Sequence, residues 1–433
     1  MLFVKTENLK IGMRVAKPIY NRLGVLLYDR ESTLTEQAIA SVKNFSLLGL
    51  YILEPAEPAP LITQEEANFE RFQSVSIFRL KETWELIQKG EQPKDLKSLA
   101  DTIIKEFGHL DHKFPFAQNL RSKEDYYYKH CLNSAIVSAM LCNQLKMDHE
   151  STYAIVVAAL LQDVGIGNLP DEIQAKSDSE YTAEDLQVIE RYKQVSYQML
   201  NPSANIYNLP VLSLKTLAQT SQFIDHPLFE VNPKVHWTIH AKIILLANKY
   251  DDLTAMGVKR EPASDIQAIG YLRKRPDNYD PSVLDSLTDS IQIVPRGCSV
   301  ELSNGKKGLV IEDNKEDFMA PIVLMYDSNT ILDLSNPLIA AKYHIVDIMK
   351  TMDNRIEIDE HTLEHFKADT LLQSELNKIK TQKAQKEKSP AIAKPAKPSG
   401  KIATPLSPTP TGEIKSTKTT EKLRTKKKRP TLK

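Results

Sequence analysis

The stretch Ala158-Ala-Leu-Leu-Gln-Asp-Val-Gly-Ile-Gly-Asn-Leu-Pro-Asp-Glu-Ile173 constrains the fold of this chain most. An apolar helix runs into a polar corner carrying an acid, Asp163, then into a turn containing Gly165 and Gly167, and then into Leu-Pro-Asp-Glu-Ile. The longest uninterrupted apolar run, Ala154 to Leu161, ends at this corner. It is far short of the roughly 20 residues that a membrane-spanning helix needs. Its place is therefore a packed interior, and the neighbouring pattern is helical too. Apolar residues at 132, 136, 139 and 140 fall on one face of a preceding helix, and residues 62–116 show helical periodicity.

A chain of 433 residues with 41% apolar content can bury a full-sized core and is expected to hold two or three domains. The start, Met1-Leu-Phe-Val-Lys-Thr-Glu-Asn-Leu-Lys10, lacks a basic segment followed by an apolar one, so secretion and membrane insertion are disfavoured. Cys131, Cys142 and Cys298 show no Cys-x-x-Cys spacing and read as reduced buried thiols. Together these features point to a cytoplasmic protein. The formal charge of zero hides an asymmetry: residues 378–433 contain 17 Lys or Arg against 3 acids, a balance of +14, so the remainder carries −14.

Residues 1–56 read as a small α+β module. Two strand-like segments, Leu9 to Tyr20 and Arg22 to Tyr28, surround a glycine-containing turn, a helix starts near Thr35, and Gly49 to Leu53 forms a closing strand. Residues 57–116 then combine a proline-rich linker with a helical lead-in, and residues 117–290 are expected to be all helical. In residues 291–350 apolar and polar residues alternate around Ser303-Asn-Gly305, a strong hairpin signal, and Ala320 to Tyr326 supplies another strand. A helical segment is expected over 351–377. Residues 378–433, rich in Lys, Pro, Thr and Ser, are expected to be disordered.

Over residues 126–272 the sequence resembles the HD-GYP family, bacterial phosphodiesterases acting on cyclic di-GMP. Tyr128-Lys-His-Cys-Leu-Asn-Ser-Ala-Ile-Val-Ser-Ala-Met140 resembles the family's first ligand helix, which puts His130 at its first metal histidine. The His-Asp doublet that names the superfamily reads Gln162-Asp163. Ile166 stands where the family has a phosphate-holding lysine, and Tyr192 stands at a later histidine. In Ile239-His-Ala-Lys-Ile-Ile-Leu-Leu-Ala-Asn-Lys-Tyr-Asp-Asp-Leu-Thr254, Asn248 stands at the ligand aspartate. The His-His-Glu and Gly-Tyr-Pro block should fall within residues 215–230, where no His-His occurs. The small N-terminal module and the later β-hairpin also resemble appendages of this family, and neither carries a catalytic motif.

The resemblance implies a mainly α fold: a helical HD-domain core with a small N-terminal α+β module, a small C-terminal β unit and a basic tail. It also implies that metal chemistry is impaired. Imidazole is a good ligand for iron, manganese or zinc, whereas carboxamides and phenols are weak at neutral pH. Only His130 and Asp163 remain as metal candidates, and each also has a plain structural reading, a polar residue near a helix start and a turn-capping acid. The favoured expectation is a catalytically impaired HD-GYP-like signalling protein that binds a protein partner or, secondarily, a cyclic dinucleotide, with no cofactor. One alternative is an active phosphohydrolase whose divalent metal (Fe, Mn or Zn) is held by His130, Asp163 and a new set drawn from Asp225, His226 or Asp251. Another is nonspecific polyanion binding through Lys426-Lys-Lys-Arg429 and the rest of the tail. His236 and His240 have i, i+4 spacing but no neighbouring glutamate, so two ordinary histidines near a helix start are the plainer reading.

Overall fold

The helix that ends at the Gln162-Asp163 corner is buried along most of its length, as its apolar run requires. The computed structural model describes residues 2–20, 25–53, 63–166, 169–174, 176, 180–229, 236–257, 261–314, 316–348, 374 and 377–381. The expected linker around 54–60 and nearly all of the segments expected over 351–377 and 378–433 lie outside the described residues. All elements named below belong to one unit, Met1–Ile379; the other, Lys380–Lys433, is almost wholly outside the described residues.

The N-terminal part contains β1 (Leu2–Lys5), β2 (Arg14–Val15), β3 (Ile19–Tyr20), β4 (Leu26–Tyr28), α1 (Glu36–Asn44) and β5 (Gly49–Leu53). β5 is the centre of an antiparallel sheet in the order β1-β5-β2, while β3 and β4 pair as a separate hairpin. Thr35 caps α1 by accepting from the Ala38 N–H, which sets the helix start where the sequence suggested it. The sequence reading missed β1, because Leu2-Phe-Val-Lys5 is too short to show alternation. Leu34, Val42, Leu50 and Ile52 form a small core of their own.

The helical body comprises α2 (Gln64–Gln88), α3 (Leu96–Phe107), α4 (Tyr126–Gln144), α5 (His149–Leu161), α6 (Asp171–Gln174), α7 (Ala183–Leu200), α8 (Ala204–Tyr207), α9 (Val211–Thr220), α10 (Ile239–Thr254), α11 (Asp265–Arg273) and α12 (Pro281–Ser290). Its axis is α4, where every residue from 131 to 142 is buried. The one-faced pattern expected for this helix is therefore incomplete. α2, α3, α5, α10 and α12 surround it, so Asn133, Ser134 and Ser138 are buried along with its apolar residues.

A five-stranded antiparallel sheet follows, ordered β10-β6-β7-β8-β9: β6 (Ser299–Leu302), β7 (Lys307–Glu312), β8 (Ile322–Met325), β9 (Ile331–Asp333) and β10 (Ile345–Ile348), with α13 (Pro337–Ala340) before the last strand. The expected hairpin is β6-β7, with Gly305 at φ +74° in its turn, a conformation costly for residues with a Cβ. Val300, Val310 and Val323 of this sheet join the same core as the helices. The mainly helical core with small flanking strand units matches the fold class expected from the sequence.

Candidate functional site

α4 and α10 lie side by side, and their facing polar residues meet in an otherwise apolar interior. Asp251 on α10 is completely buried. A buried carboxylate is unfavourable unless it is compensated, and four residues converge on this one. Arg121 Nη2 donates to both carboxylate oxygens at 2.6 and 2.8 Å. His130 Nδ1, from the first turns of α4, lies 2.7 Å from Oδ2. Asn133 Nδ2 and Gln118 Nε2 donate to Oδ1 at 3.0 and 3.1 Å. Burial alone would raise the pKa of Asp251, but the Arg121 guanidinium, supported by His130, outweighs it and holds the carboxyl well below the usual range. Arg121 is itself fully buried and stacks over the Tyr126 ring, 5.0 Å from its centroid.

This network sets the state of His130. A carboxylate can only accept, so Nδ1 carries the proton in the contact with Asp251. Nε2 then points towards Asp163 Oδ2, 3.9 Å away and beyond hydrogen-bond range. Asp163 sits in the turn after α5 and accepts from the Cys131 thiol at 3.6 Å. Burial, with the Asp163 charge beside it, pushes the Cys131 thiol well up, which leaves it unreactive.

The two neighbouring amides are closed on each other. Gln162 Nε2 donates to Asn248 Oδ1 at 2.7 Å, and Asn248 Nδ2 returns the bond to Gln162 Oε1 at 2.8 Å. Beside this pair is a cavity of about 10 Å³, roughly the room for one water, lined by Gln162, Asp163, Lys193, Tyr197, Thr220 and Ser221 among others.

Metal-binding histidines are commonly held by a carboxylate on the far ring nitrogen, as Asp251 holds His130. The orienting contact is thus present, but the ligands are few. A catalytic divalent metal takes about three protein donors and an open position, whereas Nε2 of His130 faces Asp163 alone. Among the described residues no group of three or more His, Cys, Asp or Glu is placed to hold a metal. The donors of the described residues do not by themselves complete a catalytic metal centre.

The remaining candidates are elsewhere. Ile166 is buried as an apolar residue, its N–H bonded to the Asp163 carbonyl. Tyr192 is half-buried on α7, which sends Lys193 and Tyr197 to the small cavity instead. Asp225 belongs to a cluster with Lys249 at 3.2 Å and the Tyr271 and Tyr279 hydroxyls, each at 2.8 Å. His226 accepts from the Leu228 N–H and faces the Tyr181 ring. Of the three residues offered for a rearranged metal set, Asp251 alone contacts His130, and it does so through the nitrogen opposite Asp163. His236 precedes α10 and His240 lies in its first turn, so they do not share a helix face as the i, i+4 spacing would require.

Comparison with known proteins bears on the helical body. The HD domain family model matches residues 111–283. Three curated relatives are similar to this chain. Cyclic di-GMP phosphodiesterase PdeB of Borreliella burgdorferi is 22% identical over 46% of this chain and 52% of its own length. Cyclic di-GMP phosphodiesterase PA4108 of Pseudomonas aeruginosa is 22% identical over 48% of this chain and 50% of its own. Residues 111–283 are thus similar to an HD domain. A third relative, cyclic di-GMP phosphodiesterase response regulator RpfG of Xanthomonas campestris, is 26% identical over 35% of this chain and 40% of its own length. The chain therefore spans about half or less of the length of these relatives. A solved HDG"Y"P protein, Bd1817 of Bdellovibrio bacteriovorus, covers 66% of the chain at 14% identity with a TM-score of 0.40, too loose a likeness to argue from.

Sequence reasoning missed Arg121, Gln118 and Asn133 in this site. Arg121 and Gln118 lie in an irregular segment, where charged and polar residues are usually exposed, and nothing local marks them as buried. The amide pair offers a direct test. Gln162→Ala strands the Asn248 carboxamide and is expected to cost about 1–3 kcal/mol. The double change Gln162→Leu, Asn248→Leu, which removes both partners, should cost less than the single one in urea unfolding. The opposite order would mean that the two amides do not stabilise each other.

Proposed function

We propose that this HD-GYP-like protein acts in cyclic di-GMP-type signalling as a binding or scaffold protein and does not hydrolyse the dinucleotide. The ligand class comes from the curated relatives, which are cyclic di-GMP phosphodiesterases by name. The observation that carries the reading is the closed Gln162–Asn248 amide pair beside a histidine whose Nδ1 is engaged by Asp251. Phosphodiester hydrolysis by a metal site needs an activated water and charge stabilisation at the phosphate. Here Gln162 and Asn248 are neutral amides satisfied by each other, and the Ile166 side chain offers neither charge nor hydrogen bond. An apolar framework that keeps its packing without a ligand set suits a role in which a surface, and not a reaction, is presented to a partner.

The test is cyclic di-GMP turnover by the purified full chain expressed with iron, manganese and zinc supplied, alongside its metal content. The expected result is no linear product above the buffer rate and far less than one metal per chain. Turnover that disappears in Asp163→Ala, with near-stoichiometric metal in the parent protein, would reject the proposal in favour of a rearranged active centre. The tail is tested separately. Salt-sensitive nucleic-acid binding that is lost on deleting residues 378–433 would move polyanion binding to the front.

A further inference from the structure

A second cavity, of about 230 Å³, lies where the N-terminal strands meet α2 and α4. Its walls include Lys17 and Tyr20 from the N-terminal part, Phe45 just after α1, Phe78 of α2, Asn119 and Tyr128. Four aromatic rings thus share the lining with polar and charged side chains, among them Glu70, Lys81, Glu124 and Asp125. Two of those polar groups are incompletely satisfied.

The Lys17 ammonium donates to the Gln118 carbonyl at 2.8 Å and lies 4.9 Å from the Tyr51 ring centroid. No carboxylate among the described residues pairs with it. Burial pushes its pKa down, against the nearby Glu70, Asp265 and Glu66 carboxylates, which raise it. Of the other charges of the wall, which include Lys81 and Glu124, Glu70 is paired with Arg30 at 2.7 Å and Lys129 with Asp125 at 2.6 Å. Asn119 is the second case. Its carboxamide nitrogen and oxygen are both shut off from solvent and have no hydrogen-bond partner among the described residues. A buried amide in that state is unfavourable, and the terminal torsion of Asn is soft enough to turn it into the cavity.

We propose that this cavity binds a small, ring-bearing carboxylate, with the anion held by Lys17 and the Asn119 amide and the ring set among Tyr20, Phe45, Phe78 and Tyr128. The anion supplies a direct ion-pair partner to Lys17, whose hydrogen bond goes to the Gln118 carbonyl, and an acceptor to the Asn119 N–H. The volume is below the roughly 300–1,000 Å³ of drug-sized pockets, so it suits a one-ring acid and excludes a cyclic dinucleotide. The site is independent of the reading proposed for Gln162 and Asn248.

The test is calorimetric titration of the full chain with benzoate, phenylacetate and the neutral isostere benzamide. At least one of the two acids is expected to bind saturably at one site, with benzamide about tenfold weaker or worse. Lys17→Met should weaken the acid about tenfold or more, the loss of a charged hydrogen bond. Asn119→Leu should weaken it as well, while the ligand-free melting temperature stays level or rises. That last result separates a binding amide from a structural one, whose removal would lower the melting temperature. No saturable binding by either acid, equal affinity for benzamide, or undiminished binding by Lys17→Met or Asn119→Leu would overturn the proposal.

Discussion

Replacing Asp251 by Asn is expected to destabilise the protein by about 3–5 kcal/mol, the usual cost of removing one partner from a buried ion pair. Arg121 and Asp251 are both fully shielded from solvent and lie 2.6 Å apart, so the substitution leaves a guanidinium charge in the interior with no counter-charge. His130, Asn133 and Gln118 are left with one acceptor oxygen between them, and an NH2 group replaces the other among their donors. Urea unfolding of Asp251→Asn, Arg121→Met and the double variant checks this. The double variant should be milder than the sum of the singles, because removing both charges removes the stranded one. A loss of less than about 1 kcal/mol in Asp251→Asn would show that the pair is not a stabilising centre. The pH dependence follows from the depressed pKa of Asp251 in the folded state. Its contribution is complete above the ordinary carboxylate value of about 3.9 and is lost as the pH falls towards the lower folded value. Asp251→Asn should therefore flatten the acid limb of the stability curve and leave its neutral and alkaline parts parallel to those of the parent.

Trp84→Ala is expected to have a similar effect, about 3–5 kcal/mol, mostly through the cavity that it opens. Trp84 is buried on α2 against the Tyr128 ring, 4.7 Å between centroids, and its indole N–H donates to the Leu160 carbonyl at 2.9 Å. One helical turn along, Gln88 Nε2 donates to the Val164 carbonyl at 3.1 Å. α2 thus supplies donors to a carbonyl in the last turn of α5 and to one in the turn that follows it, on either side of Gln162 and Asp163. Trp84→Phe keeps most of the volume and loses the hydrogen bond, so its cost should be nearer 1 kcal/mol. If Trp84→Phe were as damaging as Trp84→Ala in the same unfolding experiment, the hydrogen bond and not the volume would hold this junction.

Much of this architecture is legible from local pattern. The Ala154 to Leu161 run has no place but an interior, Thr35 marks the start of α1, and Ser303-Asn-Gly305 marks the β6-β7 turn through the one residue that accepts its backbone angle. Gln162, Asn248 and Ile166 are likewise readable as neutral side chains. These features depend on residues within a few positions of one another, so sequence alone determines them. The tertiary structure decided what those side chains meet. Gln162 and Asn248 are 86 residues apart, and Arg121 and Asp251 are 130 apart. Each pair exists because α4, α5 and α10 pack together, and packing between distant segments leaves no periodic trace in either one. The same holds for Lys17 and Asn119, which come to one cavity wall only when the N-terminal strands close against the helical body.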